Sequence, residues 1–431
     1  MTTLCRYWLL LAAILLPSMA YADELNSGNT AWILTATALV LFMTLPGLSL
    51  FYGGLVRTKN VLSVLMQCFA IACIASIIWL GFGYSLSFGE GNLWIGDFSN
   101  IFFSNMSKDS LAGDIPESLF IMFQMTFVII TPALIVGAFA ERMKFSSVLV
   151  FTALWIALVY APVCHWVWGG GWLAQMGVLD FAGGIVVHIT AGVAALVVAL
   201  MIGNRNGFPH VPMPPHNMTM TVTGAGMLWV GWFGFNAGSA LTASGDASMA
   251  MLVTHLSAAA GSLAWMTMEW VKFGKPSVLG IVTGMVAGLG TITPASGFVG
   301  PLGAVVIGLS AGIICFYATQ LIKRKLKIDD SLDVFPVHGV GGILGTLLVG
   351  VFSSTELGLF SGHGFGGDIE TISHQFGVQL LAVIVTIVFT AVVTFLIVKL
   401  TGWITGGIRV TKEEESQGLD VSLHEESGYK I

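Results

Sequence analysis

The chain has 431 residues, 55% of them apolar and 9% charged, with a net charge of -6 and a mean hydropathy of +0.87. Ordinary soluble domains carry about 25% charged residues, so this composition excludes a water-soluble globular protein and indicates one that lives in a bilayer. The net charge excludes little, because the charges lie between apolar runs, and the five cysteines lack disulfide or metal-ligand spacing.

Residues 1–22 read as a secretory leader. Arg6 supplies a positive start, residues 8–16 a short apolar core, and Ala20-Tyr21-Ala22 a small-x-small cleavage site. Cleavage there places the mature start outside the cytoplasm. Eleven apolar runs follow, near 31–54, 62–88, 118–140, 146–167, 183–203, 218–240, 248–271, 276–293, 300–322, 337–354 and 376–400. Each supplies roughly the 20 residues that a spanning helix needs, the eighth and tenth being short. Lys and Arg concentrate in cytoplasmic loops. With the start outside, fifteen of the seventeen fall in the inner loops and tail, leaving Lys108 in an outer loop and Arg6 in the leader. The predicted topology has the N-terminus outside, the C-terminus inside, and residues 403–431 as a polar cytoplasmic tail after a transporter domain over 23–402.

Two stretches look alike: Leu179-Asp180-Phe181-Ala182-Gly183-Gly184 leading to His188, and Leu332-Asp333-Val334-Phe335-Pro336-Val337 leading to His338. Each sets an Asp at the mouth of an apolar run and a His inside it. Imidazoles in a bilayer are costly and face a bundle interior or a cavity. His188 falls in the fifth run and His338 in the tenth, so the second half is inverted relative to the first. The repeats cover about 31–203 and 218–354, with one helix left over. The expected fold is an all-α integral membrane protein of eleven transmembrane helices, five plus five as an inverted repeat and one extra. Such repeats place a pathway at their interface. A single His is as often a satisfied core residue, whereas two in related contexts favour a shared track in which one ring nitrogen donates and the other accepts. No Asp or Glu lies mid-span. An intact cation would therefore meet a large desolvation penalty, and a species that sheds its charge fits better.

Aromatic residues collect at the predicted outer ends of three runs: Phe123 and Phe127, then Trp166 and Trp168, then Trp232, Phe233 and Phe235, with Ser239 close by. An interfacial aromatic belt accounts for such residues. The Gly-rich spacing and Ser239 point instead to a shaped site, since aromatic faces attract a small, partly desolvated cation.

These motifs carry a family resemblance. Residues 46–54 (PGLSLFYGG), 140–142 (AER), 167–171 (VWGGG), 179–184 (LDFAGG), 231–239 (GWFGFNAGS), 333–340 (DVFPVHGV) and 418–421 (GLDV) resemble the ammonium transporters of the Amt/Mep/Rh family, most closely its bacterial branch. The resemblance runs from about residue 30 to 425. It implies no enzyme activity, cofactor, metal or nucleic-acid partner. It implies that Phe127, Trp168 and Ser239 receive ammonium or methylammonium, that Phe127 and Phe235 form a stacked gate, and that His188 and His338 line the pore beside Trp232. Asp180 is implied to order the outer site and to be essential. The resemblance also implies a homotrimer in the bacterial inner membrane and a PII-type signal protein docking at the cytoplasmic face. A departure is Pro336, where the family pattern leads one to expect a small, Gly-like residue. Two other readings are an ammonium sensor coupled to a PII-type partner and a membrane redox enzyme with His ligands to haem.

Overall fold

A computed structural model describes residues 24–355 and 364–429, so the expected leader lies outside the described residues. The helices in chain order are α1 (Ser27–Leu55), α2 (Thr58–Phe88), α3 (Glu117–Phe139), α4 (Phe145–Gln175), α5 (Gly184–Ile202), α6 (Met218–Gly238), α7 (Gly245–Phe273), α8 (Val278–Ile292), α9 (Pro301–Lys325), α10 (Phe335–Phe352), α11 (Ile372–Ile404), α12 (Lys412–Gln417) and α13 (Leu419–His424). Among the described residues, nine of these are long and apolar enough to cross a membrane; of α1 to α11 only α6 and α8 fall short, and α12 and α13 are short tail helices. Helix α8 has 15 residues, and Gly, Thr, Trp and Asn236 dilute the hydropathy of α6. Both nevertheless occupy the segments expected from the sequence. The strand content described is one short hairpin, Leu111–Ala112 against Ile115–Pro116.

Local chemistry sets the helix starts. Asn26, Asn217, Ser244, Ser277 and Thr371 each accept a backbone N–H from the first turn of α1, α6, α7, α8 and α11 respectively. Inside α1, Pro46 has no N–H to give, and the turn around it, Met43–Leu48, widens to π-helical pairing. The outside of the bundle is apolar: Trp403 is 81% exposed, Val271 77% and Ile77 68%. Faces of that kind belong in lipid rather than water.

At one end of the bundle lies a buried ionic layer. Arg205 reaches Asp329 at 2.8 Å and Glu141 at 3.1 Å, and Arg57 reaches Glu141 at 2.8 Å. Arg142 donates to Ser331 Oγ at 2.6 Å and to the carbonyls of Ala138 and Asp329. Buried charges survive only when paired and hydrogen-bonded. Burial opposes the Glu141 charge, yet Arg205 and Arg57 hold its carboxyl below the usual range.

The tail folds over this same end. Lys144 N donates to the Ile408 carbonyl and Val410 N to that of Arg142. Arg409 pairs with Glu415 at 2.7 Å and donates to the carbonyls of Ile202 and Asn204. Glu415 is thus the acidic partner of Arg409 within the folded tail. Asp420 accepts the N–H groups of Leu62 (3.1 Å) and Ser63 (2.8 Å) at the start of α2, and Asn60 accepts that of Leu419 at 2.8 Å. The tail and α2 thereby cap each other.

Candidate functional site

Helices α5 and α10 both open in a π-helical turn, Gly184–Ile189 and Phe335–Gly339, and each turn carries a histidine. Widened turns of this kind are frequent at functional sites. The turns meet backbone to backbone. A Cβ on Gly192 would collide with Gly339, and one on Gly342 would sit 2.9 Å from both the Gly184 carbonyl and the His188 Cβ. Small residues permit that approach, and it brings His188 Nδ1 to 3.2 Å from His338 Nδ1 with the rings 9° from parallel. One Nδ1 must donate and the other accept, so the two rings are opposite tautomers when both are neutral. A bonded pair this close has no space between its nitrogens for a haem iron. Trp232 lies parallel to His188 with ring centroids 5.6 Å apart, its indole N–H held at 2.9 Å by Thr293 Oγ1.

Asp180 organises the start of α5. Its Oδ1 accepts the N–H groups of Gly183 (2.9 Å) and Gly184 (2.6 Å), and its Oδ2 those of Ile185 (2.8 Å) and Val186 (3.1 Å). A carboxylate at a helix N-terminus satisfies the orphan donors and opposes the helix dipole. Its own carbonyl accepts the Trp168 indole N–H at 2.9 Å. One residue therefore fixes both the His188 turn and the Trp168 ring. Burial pushes its carboxyl up to about 6, against the lowering effect of the four N–H groups.

The second half corrects the sequence alignment. Asp333 does not repeat the role of Asp180; it adopts a left-handed backbone (φ 62°) and pairs with Lys323 Nζ at 2.8 Å. Asp330 stands where Asp180 does, accepting the Phe335 N–H at 2.7 Å. Pro336 falls in the first turn of α10, where its missing N–H is no loss.

On the side away from the tail, a cavity of about 330 Å³ is lined by Phe123, Gln124, Phe127, Trp168, Phe181 and Ser239 among others. The three residues expected at the outer site, Phe127, Trp168 and Ser239, thus share one chamber. Phe127 meets Trp168 edge-on at 5.5 Å and lies 4.5 Å from Phe235, tilted by 34°. The Ser239 hydroxyl donates to the Phe235 carbonyl at 2.8 Å, which leaves its lone pairs free for a donor in the chamber. Gln124 was not singled out from the sequence, where it reads as one polar residue in a Phe-rich turn; its buried Oε1 has no partner and adds a second acceptor. Phe235 lies 6.3 Å from His188, so aromatic and imidazole rings run without a break from Trp168 through Phe127, Phe235 and His188 to His338. At the tail end, His338 lines a second cavity, about 120 Å³, with Phe51, Tyr52, Lys323 and Asp333.

Residues 31–429 match the profile of the Ammonium Transporter Family. The chain belongs to that family. It is 49% identical to a putative ammonium transporter of Methanothermobacter thermautotrophicus, over 94% of this chain and 99% of that protein. It is 46% identical to the ammonium transporter of Bacillus subtilis, again over 94% and 99%. Among solved structures, it resembles Saccharomyces cerevisiae Mep2 (37% identity, 90% and 91% of the two chains, TM-score 0.82). It also resembles a protein titled Sensor Amt Protein (31% identity, 92% and 98%, TM-score 0.86). As an ammonium transporter family member the chain is a multi-pass membrane protein that moves ammonium, and not an enzyme.

Proposed function

We propose that ammonium docks in the Trp168 chamber, loses its proton as it is desolvated, and passes the His188–His338 pair as ammonia. The observation that carries this reading is the continuous line of rings between two cavities, with one hydrogen-bonded imidazole pair inside it. Trp168 and Phe127 offer π faces, and Ser239 and Gln124 offer acceptors to a species with four donors. Below Phe127 and Phe235 a fixed cation would lose its water without gaining a counter-charge. Burial disfavours a charged form, so ammonium yields a proton there and potassium, which has none to yield, is refused. Asp180 acts by holding Trp168 and the His188 turn in register. The proton follows separately along the imidazole pair, which gives net charge movement.

In this reading the Trp168 side faces outward and the tail lies in the cytoplasm, as the Lys and Arg distribution supports. Residues 1–22 are a cleaved leader, the membrane is a bacterial inner membrane, and three copies assemble, each with its own pore. The folded tail face receives a PII-type signal protein. Growth at low ammonium of a bacterial strain lacking its own transporters, carrying this chain, tests the core of the reading; no growth advantage from a membrane-inserted protein would sink it. The similarity to a sensor structure favours a second reading, in which occupancy is reported to a PII-type partner through the tail. Methylammonium uptake without any partner distinguishes transport from sensing alone.

A further inference from the structure

The tail-side cavity holds an acid that the helix start does not use. Asp330 supplies the cap of α10, so Asp333 is free of that duty and turns its Oδ2 to Lys323 Nζ at 2.8 Å. Its Oδ1 is shut from solvent and bonds nothing, as is the Oδ1 of Asp330. Lys323, Asp333 and His338 line one cavity, and the two side chains of the pair remain 27% and 21% exposed, at the mouth rather than in the core. Lys323 and Asp333 also line an adjoining cavity of about 230 Å³, together with Glu269, Thr319 and Gln320. There, Thr319 Oγ1 and Gln320 Oε1 are buried acceptors without partners.

We propose that Asp333 is an exit-side binding site for a small hydrogen-bonding cation, and that Lys323 is a tethered competitor that keeps it from trapping the product. The inference rests on the transport reading above. Ammonia leaving His338 takes up a proton in the vestibule and becomes a cation beside the Asp333 carboxylate, which lines the same cavity. Without competition that half-buried carboxylate would hold the cation. The lysine ammonium offers the same charge and the same kind of donors as the departing ion, so Asp333 gains little by exchanging one for the other. When the product does take Asp333, Lys323 has somewhere to go: a lysine stem is flexible, and the adjoining cavity is lined by Glu269, Thr319 and Gln320 as well as Arg324.

The test uses right-side-out membrane vesicles carrying the full chain, preloaded with graded ammonium, and reads initial uptake of labelled methylammonium. Lys323→Met should lower the internal ammonium concentration that halves uptake by about tenfold, the equivalent of roughly 1.4 kcal/mol. The double variant Lys323→Met/Asp333→Asn should return to the wild-type value or above it. A Lys323→Met protein that inserts and shows the wild-type value overturns the proposal. Should Lys323→Met fail to insert, Asp333→Asn alone decides: it should raise the half-inhibiting concentration, and no change would overturn the exit site. Absence of methylammonium uptake by the wild-type vesicles would instead count against the transport reading itself.

Discussion

Asp180 and Asp330 each stand eight residues before one of the two bonded histidines, and each accepts backbone N–H at the start of the helix carrying it. The two halves are therefore related through Asp330, three residues upstream of the Asp333 that looks like a repeat of Asp180 in the sequence. The acceptors are unequal: Asp180 takes four N–H groups, whereas Asp330 takes that of Phe335 and keeps a bare Oδ1.

That inequality predicts unequal mutants. Asp180→Asn replaces one acceptor oxygen by an amino group facing N–H donors. Leaving buried donors unsatisfied costs about 1–3 kcal/mol, and the change also loosens Trp168. Transport of methylammonium should be lost, and the detergent-solubilised protein should melt several degrees lower. Asp330→Asn should cost less than half as much. Equal melting shifts for the two would show that the capping account is wrong.

Acidity should separate transport from stability. The Asp180 and Asp330 carboxyls are pushed up to about 6 by burial, above their ordinary 3.8. Between those values the folded protein binds protons that the unfolded chain does not, so this contribution to stability grows as pH falls and is lost as pH rises through about 6. Glu141 and Asp329 are held below their ordinary 4.5 and 3.8, and their contribution is lost only below that range. From pH 6.5 to 5, uptake should fall as Asp180 loses an acceptor, while the melting temperature holds or rises. Parallel loss of both would contradict the assignment.

In the Trp168 chamber, Trp168→Leu removes a π face. Desolvated cation–π contacts reach about 2 kcal/mol, which corresponds to roughly 30-fold in affinity. Half-saturation for methylammonium should rise by about that factor with little change in the amount of folded protein. Ser239→Ala should give a smaller rise. Unchanged saturation curves for both would place the docking site elsewhere.

The His pair should govern ion exclusion. A fixed charge from His188→Asp or His338→Glu offsets part of the desolvation cost of an intact cation. Potassium flux into proteoliposomes should become measurable in these variants and stay absent in wild type. Full exclusion in both would count against the imidazole track.

Truncation after Gly407 removes the Arg409–Glu415 pair, which ties the tail to the loop after α5, and the Asp420 contacts with α2. Membrane insertion should survive, with thermal stability reduced by at least the ~1 kcal/mol of a lost helix cap and inhibition by a PII-type protein impaired. A truncated protein that melts like the full chain and binds the partner with full affinity would reduce the tail to a solvated end.

The sequence made some of this legible. Long apolar runs announce helices because backbone groups in lipid have no other partner, and the segments near 218–240 and 276–293 do form helices although composition marks them weakly. His188 and His338 stand out because ionisable residues are few within the apolar runs, and Phe127, Trp168 and Ser239 because they lie in or beside Gly- and aromatic-rich motifs. Asp330 does not stand out: the π-helical turns, which no local pattern announces, set the spacing between acid and histidine, and the Leu-Asp likeness pointed to Asp333. Gln124 is invisible in a string of Phe and Met until the cavity around it is drawn. The tail has the composition of a solvated end, and its order comes from partners far along the chain, Asn60 and Ser63 among them, which no local window contains.

The reciprocal cap between Asp420 and the start of α2 also sets a clock. A ribosome completes α2 long before it makes residue 420, so the second helix waits through the synthesis of nearly the whole protein with its first N–H groups open. Closing them requires that the remaining helices have been threaded correctly enough to deliver the tail to the same face. The contact therefore closes only once the chain is complete, and a chain that stalls early or threads wrongly leaves the Leu62 and Ser63 N–H groups uncovered.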